Sequence, residues 1–131
     1  EGLPYSQNNP IPELLGAFSY SLDIFKSTFS KFKCINPVKG KIPDSLPNND
    51  KNMYDFVHLD LDLYEGTKSS LEHFYPRLKK RGIIQIDDYN NHPWTGVNDA
   101  INEFLSQLEY EDYFFTTLPL GGAFLIKLSG Q

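Results

Sequence analysis

The run Asp55-Phe56-Val57-His58-Leu59-Asp60-Leu61-Asp62-Leu63-Tyr64-Glu65-Gly66-Thr67 passes from an apolar strand pattern into carboxylates within a few residues. Phe56, Val57 and Leu59 suit a strand buried on both faces, and Gly66-Thr67 suits a loop handing over to a helix. The pattern returns at Ile83-Ile84-Gln85-Ile86, which runs into Asp87-Asp88-Tyr89. Open α/β sheets build their sites beyond the carboxyl ends of their strands. Two neighbouring parallel strands would therefore point Asp60, Asp62, Asp87 and Asp88 at one crevice.

Upstream of this core, residues 43–52 hold Pro43, Pro47 and Asn48-Asn49-Asp50-Lys51-Asn52 and read as a surface loop. Cys34 to Gly40 reads as a short strand interrupted by Pro37. From Glu13 to about Lys33 the residues Leu14, Leu15, Phe18, Leu22, Phe25, Phe29 and Phe32 recur three or four apart, which predicts a helix with a buried phenylalanine stripe. Residues 1–12, with Pro4, Pro10 and Pro12, read as a loop.

Downstream, Leu71, Phe74, Tyr75 and Leu78 predict a second amphipathic helix over about Ser69 to Lys80. Its basic end, Arg77 to Arg81, complements a helix C-terminus, with Gly82 just beyond. Tyr89-Asn90-Asn91-His92-Pro93-Trp94 is a loop rich in groups able to contact a ligand, His92 among them. Thr95-Gly96 opens a third helix with Val97, Ala100, Ile101, Phe104 and Leu108 inward. Tyr113 to Leu118 and Ala123 to Ile126, separated by Pro119-Leu120-Gly121-Gly122, predict a hairpin. Strand, helix, strand, helix and hairpin make an α/β sheet with an antiparallel edge in a single domain, 1–131.

With 17 acidic and 12 basic residues the chain carries a net charge of −5, which argues against nucleic-acid and anionic-membrane partners. No apolar run approaches the length of a membrane span. The single Cys34 excludes an internal disulfide, suits a reducing, cytoplasmic setting and reads as a small buried apolar residue.

Several carboxylates cannot crowd together ionised without a cation or a raised pKa. Oxygen donors without nearby cysteine favour Mg²⁺, Ca²⁺ or Mn²⁺ over zinc. Asp60, Asp87 and Asp88 are the expected ligands of one such ion, with Asp62 behind them or acting as a base. His58 reads as a hydrogen-bonded core residue and His73 as a surface residue.

Three segments resemble the macrocin O-methyltransferase family: Leu59-Asp60-Leu61-Asp62-Leu63-Tyr64-Glu65-Gly66-Thr67, Phe74-Tyr75-Pro76-Arg77-Leu78, and Gly82-Ile83-Ile84-Gln85-Ile86-Asp87-Asp88-Tyr89. Glu1 to Pro4, Gly16 to Ser19, Val38-Lys39-Gly40 and Asp44 to Pro47 extend the resemblance over most of the chain. It implies a class I methyltransferase Rossmann-like sheet with an antiparallel C-terminal hairpin, using S-adenosylmethionine. It also implies Mg²⁺ or a similar cation at Asp60, Asp87 and Asp88, and a small-molecule hydroxyl acceptor such as a sugar. Asp60 or Asp62 would be the base, and Lys41 and Ile42 would border the cofactor's adenine. The family's first strands and glycine-rich cofactor loop are expected upstream of Glu1, because no Gly-x-Gly loop occurs here. A chain without them is expected to bind cofactor weakly and to cover its strand edges by self-association. Two rivals remain at this point: a non-catalytic α/β scaffold, and a haloacid-dehalogenase-type phosphatase with the pair Asp60 and Asp62.

Overall fold

The computed structural model describes residues 19–91 and 94–130. Its centre is a β-α-β unit. Strand β1 (Tyr54–Leu59) leads to helix α2 (Tyr64–Phe74) and returns as β2 (Leu78–Ile86), parallel to β1. Helix α3 (Thr95–Leu105) follows, then a hairpin of β3 (Tyr113–Thr117) and β4 (Ala123–Lys127). The helix that precedes β1 is α1 (Leu22–Thr28). The sheet order is β1-β2-β4-β3, with β4 antiparallel to both of its neighbours.

Burial alternates along the strands. Val57 and Leu59 of β1, Ile84 and Ile86 of β2, and Leu125 of β4 face a core shared with Leu71, Val97, Ile101 and Phe104 from the helices. Each aliphatic side chain fully buried there contributes about 1.5–3 kcal/mol. The opposite parity is open: Phe56 is 55% exposed, and His58 is exposed. The expectation of a strand buried on both faces is therefore corrected, because α2 and α3 cover one face only among the described residues. His58 is likewise no core residue.

In α3 the inward face is Val97, Ala100, Ile101 and Phe104, as the spacing predicts, but the helix ends at Leu105, so Leu108 packs on the core from beyond it. In α2 the helix starts earlier and stops earlier than predicted. Pro76 cannot donate the next helical hydrogen bond. The segment from Leu78 is strand instead, so Arg77 to Arg81 do not line a helix C-terminus. Lys127 Nζ supplies the cation there, donating to the carbonyls of Tyr75, Pro76 and Leu78. Pairing is irregular at the start of β2: β1 advances from Tyr54 to Phe56 while β2 advances from Leu78 to Ile83.

Upstream of β1 the outcome differs from the sequence reading. None of the α1 residues is buried, and Phe32 is 57% exposed, so the phenylalanine stripe forms no core among the described residues. The predicted helix positions 13–18 and the loop 1–12 lie outside the described residues. No strand forms over Cys34 to Gly40, consistent with Pro37, and Cys34 is exposed rather than buried. What fastens this stretch is Asp50. Its carboxylate accepts from Tyr54 Oη at 2.5 Å and from the Asn52 N–H at 2.9 Å, and it pairs with His73 Nε2 at 3.2 Å. Arg77 Nε donates to the Asp50 carbonyl at 3.0 Å. The Tyr54 hydroxyl first, then the Asn52 N–H and His73, hold the Asp50 carboxyl down at about 2. His73, expected at the surface, is mostly buried in this contact.

Candidate functional site

The parallel pairing of β1 and β2 sends both strand ends the same way. Asp60 follows β1 directly. Asp62 lies in a tight turn, closed by the Leu63 N–H donating to the Leu61 carbonyl at 2.6 Å, with φ 59°. Asp87 continues the ladder, its N–H donating to the Leu59 carbonyl at 2.8 Å. Asp88 also has φ 59°. Left-handed backbone is uncommon outside glycine, asparagine and aspartate, and it concentrates at functional sites. Here it re-aims two carboxylates after the strands have ended.

Asp60, Asp62 and Asp88 each offer an oxygen, and these lie within 4.8 Å of one another. Asp87 stands outside this trio, exposed beside it. Asp88 is 9% exposed, and Asn91 Nδ2 donates to its Oδ1 at 2.6 Å.

The crowding shows in the ionisation of these groups. Desolvation first, then a hydrogen bond and charge repulsion from Asp88, push the Asp62 carboxyl up to about 7. Asp60 is raised by partial burial and by the charges of Asp87 and Asp88, while His58 acts in the opposite sense. A donor set made only of carboxylate oxygens, held this close, suits a hard divalent cation and does not suit a thiophilic one.

Around the trio the loop is organised by carboxamides. The Asn90 N–H donates to Asn98 Oδ1 at 2.8 Å, and Tyr89 Oη donates to Asn102 Oδ1 at 3.2 Å. His92 lies outside the described residues. Lys41 and Ile42 sit in a turn closed by the Ser45 N–H donating to the Lys41 carbonyl at 2.8 Å. They border, in sequence, an open groove of about 350 Å³ lined by Tyr20, Phe25, Pro37, Val38, Lys39 and Gly40. The sequence puts Asp62 behind the ligands or in the role of base, and Asn91 in a ligand-contacting loop without tying it to Asp88. The Asp-x-Asp spacing and the Asp88-to-Asn91 spacing of a turn were the available signals.

A sheet that gathers carboxylates beyond two parallel strands and closes with an antiparallel hairpin matches the methyltransferase fold. The O-methyltransferase NovP shares it, with a TM-score of 0.80 over 98% of this chain and 57% of its own, at 20% identity. The sequence profile of the macrocin O-methyltransferase (TylF) family matches residues 9–115, and the chain belongs to that family. The 8-demethyl-8-(2,3-dimethoxy-alpha-L-rhamnosyl)-tetracenomycin-C 4'-O-methyltransferase of Streptomyces olivaceus is 31% identical over 101 residues, spanning 74% of this chain and 38% of that protein. The demethyldecarbamoylnovobiocin O-methyltransferase of Streptomyces niveus is 30% identical over 77 residues, 59% of this chain and 29% of that protein. Apo CalS11, a TDP-rhamnose 3'-O-methyltransferase of calicheamicin biosynthesis, gives a TM-score of 0.52 at 32% identity, over 66% of this chain and 36% of its own. The chain thus spans less than half the length of the curated relatives it matches. Among the described residues, no helix is long and apolar enough to cross a membrane.

Proposed function

We propose that this chain carries the acid-lined end of an S-adenosylmethionine-dependent O-methyltransferase that methylates a hydroxyl of a sugar or another vicinal diol, assisted by Mg²⁺ or a similar cation. The observation that carries the reading is the meeting of Asp60, Asp62 and Asp88 beyond two parallel strand ends. Two of the relatives named above have rhamnose in their names, which supports a sugar acceptor.

In this reading Asp60 and Asp88 hold the ion. Magnesium typically takes only one or two carboxylates and leaves its other positions to water and substrate. When bound, the ion makes the acceptor hydroxyl more acidic. Asp62, whose carboxyl is pushed up by burial and then by Asp88, is the group that would take the proton. When bound, S-adenosylmethionine would supply the methyl group, the acceptor oxygen forming its bond to the methyl carbon as the carbon–sulfur bond breaks. Most of the acceleration comes from holding the two reactants in line. Asp87 adds negative potential from the rim, and Lys41 with Ile42 would border the adenine.

The experiment is methyl transfer from labelled S-adenosylmethionine to rhamnose-bearing acceptors, with and without a chelator, after calorimetry with S-adenosylhomocysteine. Label incorporation that needs a divalent ion and collapses in Asp62→Asn is the expected result. Incorporation indifferent to both chelator and Asp60→Asn sinks the metal-assisted reading.

A second copy of the chain, packed against the free edge of β1, is also part of this reading. It is supported by exposed Met53 and Phe56, and by the lack of a second strand neighbour for β1 among the described residues. Light scattering that shows a monomer at all concentrations removes it.

A further inference from the structure

Asn91 is exposed, yet its side chain reaches back to the most enclosed of the clustered acids. Its Nδ2 donates to Asp88 Oδ1 at 2.6 Å while its backbone N–H donates to the Asp88 carbonyl at 3.1 Å. Side chain and main chain of one residue therefore grip both ends of another. Behind Asn91 stands the β3–β4 turn. A Cβ built on Gly121 would sit 3.5 Å from the Asn91 Cβ, and the Gly122 N–H donates to the Tyr89 carbonyl at 2.7 Å. Both glycines have positive φ, at 98° and 86°, a backbone that residues with side chains rarely adopt.

Resting on the metal-assisted reading above, we propose that Asn91 is a positioning residue. Its carboxamide N–H holds one oxygen of Asp88 so that the carboxylate's other lone pairs stay turned toward Asp60 for a hard divalent cation. The chemistry explains the choice of an amide. A lysine or arginine at this position would orient Asp88 equally well but would cancel the charge that attracts the ion. An aliphatic side chain would leave a carboxylate on a left-handed backbone free to change rotamer. A neutral donor fixes geometry and keeps the charge. Groups that orient a ligating carboxylate in this way are typically worth about 10–100-fold in metal affinity.

The test uses the whole chain and Mn²⁺ alone as the probe, followed by electron paramagnetic resonance of the free ion. The variants are Asn91→Ala and Asn91→Leu, the second of similar size and without a donor. Both are expected to lose about 10–100-fold in Mn²⁺ affinity with stoichiometry unchanged, while melting without metal stays close to wild type. If the wild-type chain binds no Mn²⁺, the metal-assisted reading falls and takes this inference with it. If wild type binds and both variants bind equally well, the inference alone falls. A loss in Asn91→Ala that Asn91→Leu restores assigns Asn91 a packing role and overturns its role as donor.

Discussion

Helices α1 and α3 are both short and both written with apolar residues three and four apart. In α3, Val97, Ala100, Ile101 and Phe104 are buried against the sheet and α2. In α1, Leu22, Ile24 and Phe25 bury nothing fully, and Phe25 packs on Phe29 with ring centroids 4.6 Å apart. The contrast extends beyond the helices, since among the described residues the core runs from Val57 to Leu125. Periodicity states that a helix has an apolar face. It does not supply the surface that the face packs on. Residues 54–128 contain both halves of that arrangement, whereas residues 19–53 display one half and are pinned to the rest at Asp50.

The sharpest way to test this contrast is to cut the core. Leu71→Ala should cost about 2–5 kcal/mol, because Leu71 is fully buried between sheet and helices, and urea denaturation will read it. An unchanged midpoint would mean the packing described here is not what stabilises the chain.

A second test separates two acids by pH. The folded state holds the Asp62 proton up to about 7, well above the usual carboxylate range, so folding takes up a proton between those values. Stability from this group therefore falls as pH rises through that window and is level above it. Asp50 has the opposite sign: its stabilisation is present above the ordinary carboxylate value and is lost as pH falls toward about 2. Denaturation midpoints should thus decline from mildly acidic to neutral pH, and Asp62→Asn should flatten that decline. A decline that persists in the variant places its origin elsewhere.

Asp50→Ala should act locally. Amide exchange over residues 43–53 should quicken while β2 and α3 keep their protection, and equal acceleration everywhere would erase the boundary between the two regions. The smallest effect belongs to Phe29→Ala. Phe29 is 37% exposed and outside the core, so a change within about 0.5 kcal/mol is expected. A loss comparable to Leu71→Ala would show that α1 is buried in solution.

The parallel strands, the α3 face and the hairpin were legible because each pattern met its partner inside the chain. Pro76 was legible too, but the periodicity running from Leu71 to Leu78 masked it, and a helix was extended into what is β2. The acid site was legible as a location. Carboxylates at strand ends announced it; the meeting of Asp60, Asp62 and Asp88 oxygens within 4.8 Å goes with left-handed backbone at Asp62 and Asp88, which composition does not encode. Asn91 was one polar residue in a polar loop. It stands three residues after Asp88, and the local turn brings its carboxamide to that carboxylate.

The slack in pairing between Tyr54 and Phe56 has a practical use. The irregular stretch of β2 bends through Arg81 at φ 67° and presses Gly82 so close to Leu78 that a Cβ there would lie 2.7 Å from its Cγ. Regular pairing starts afresh at Phe56 and Ile83 and runs into the acids. The carboxylates are therefore insulated from changes of chain length on the other side of that stretch. One residue added beside Lys80 should therefore lengthen the bulge instead of turning Ile84 and Ile86 outward, and an unchanged melting midpoint would check it. That position is where the protein can be lengthened, labelled or tethered with its acidic end left in register.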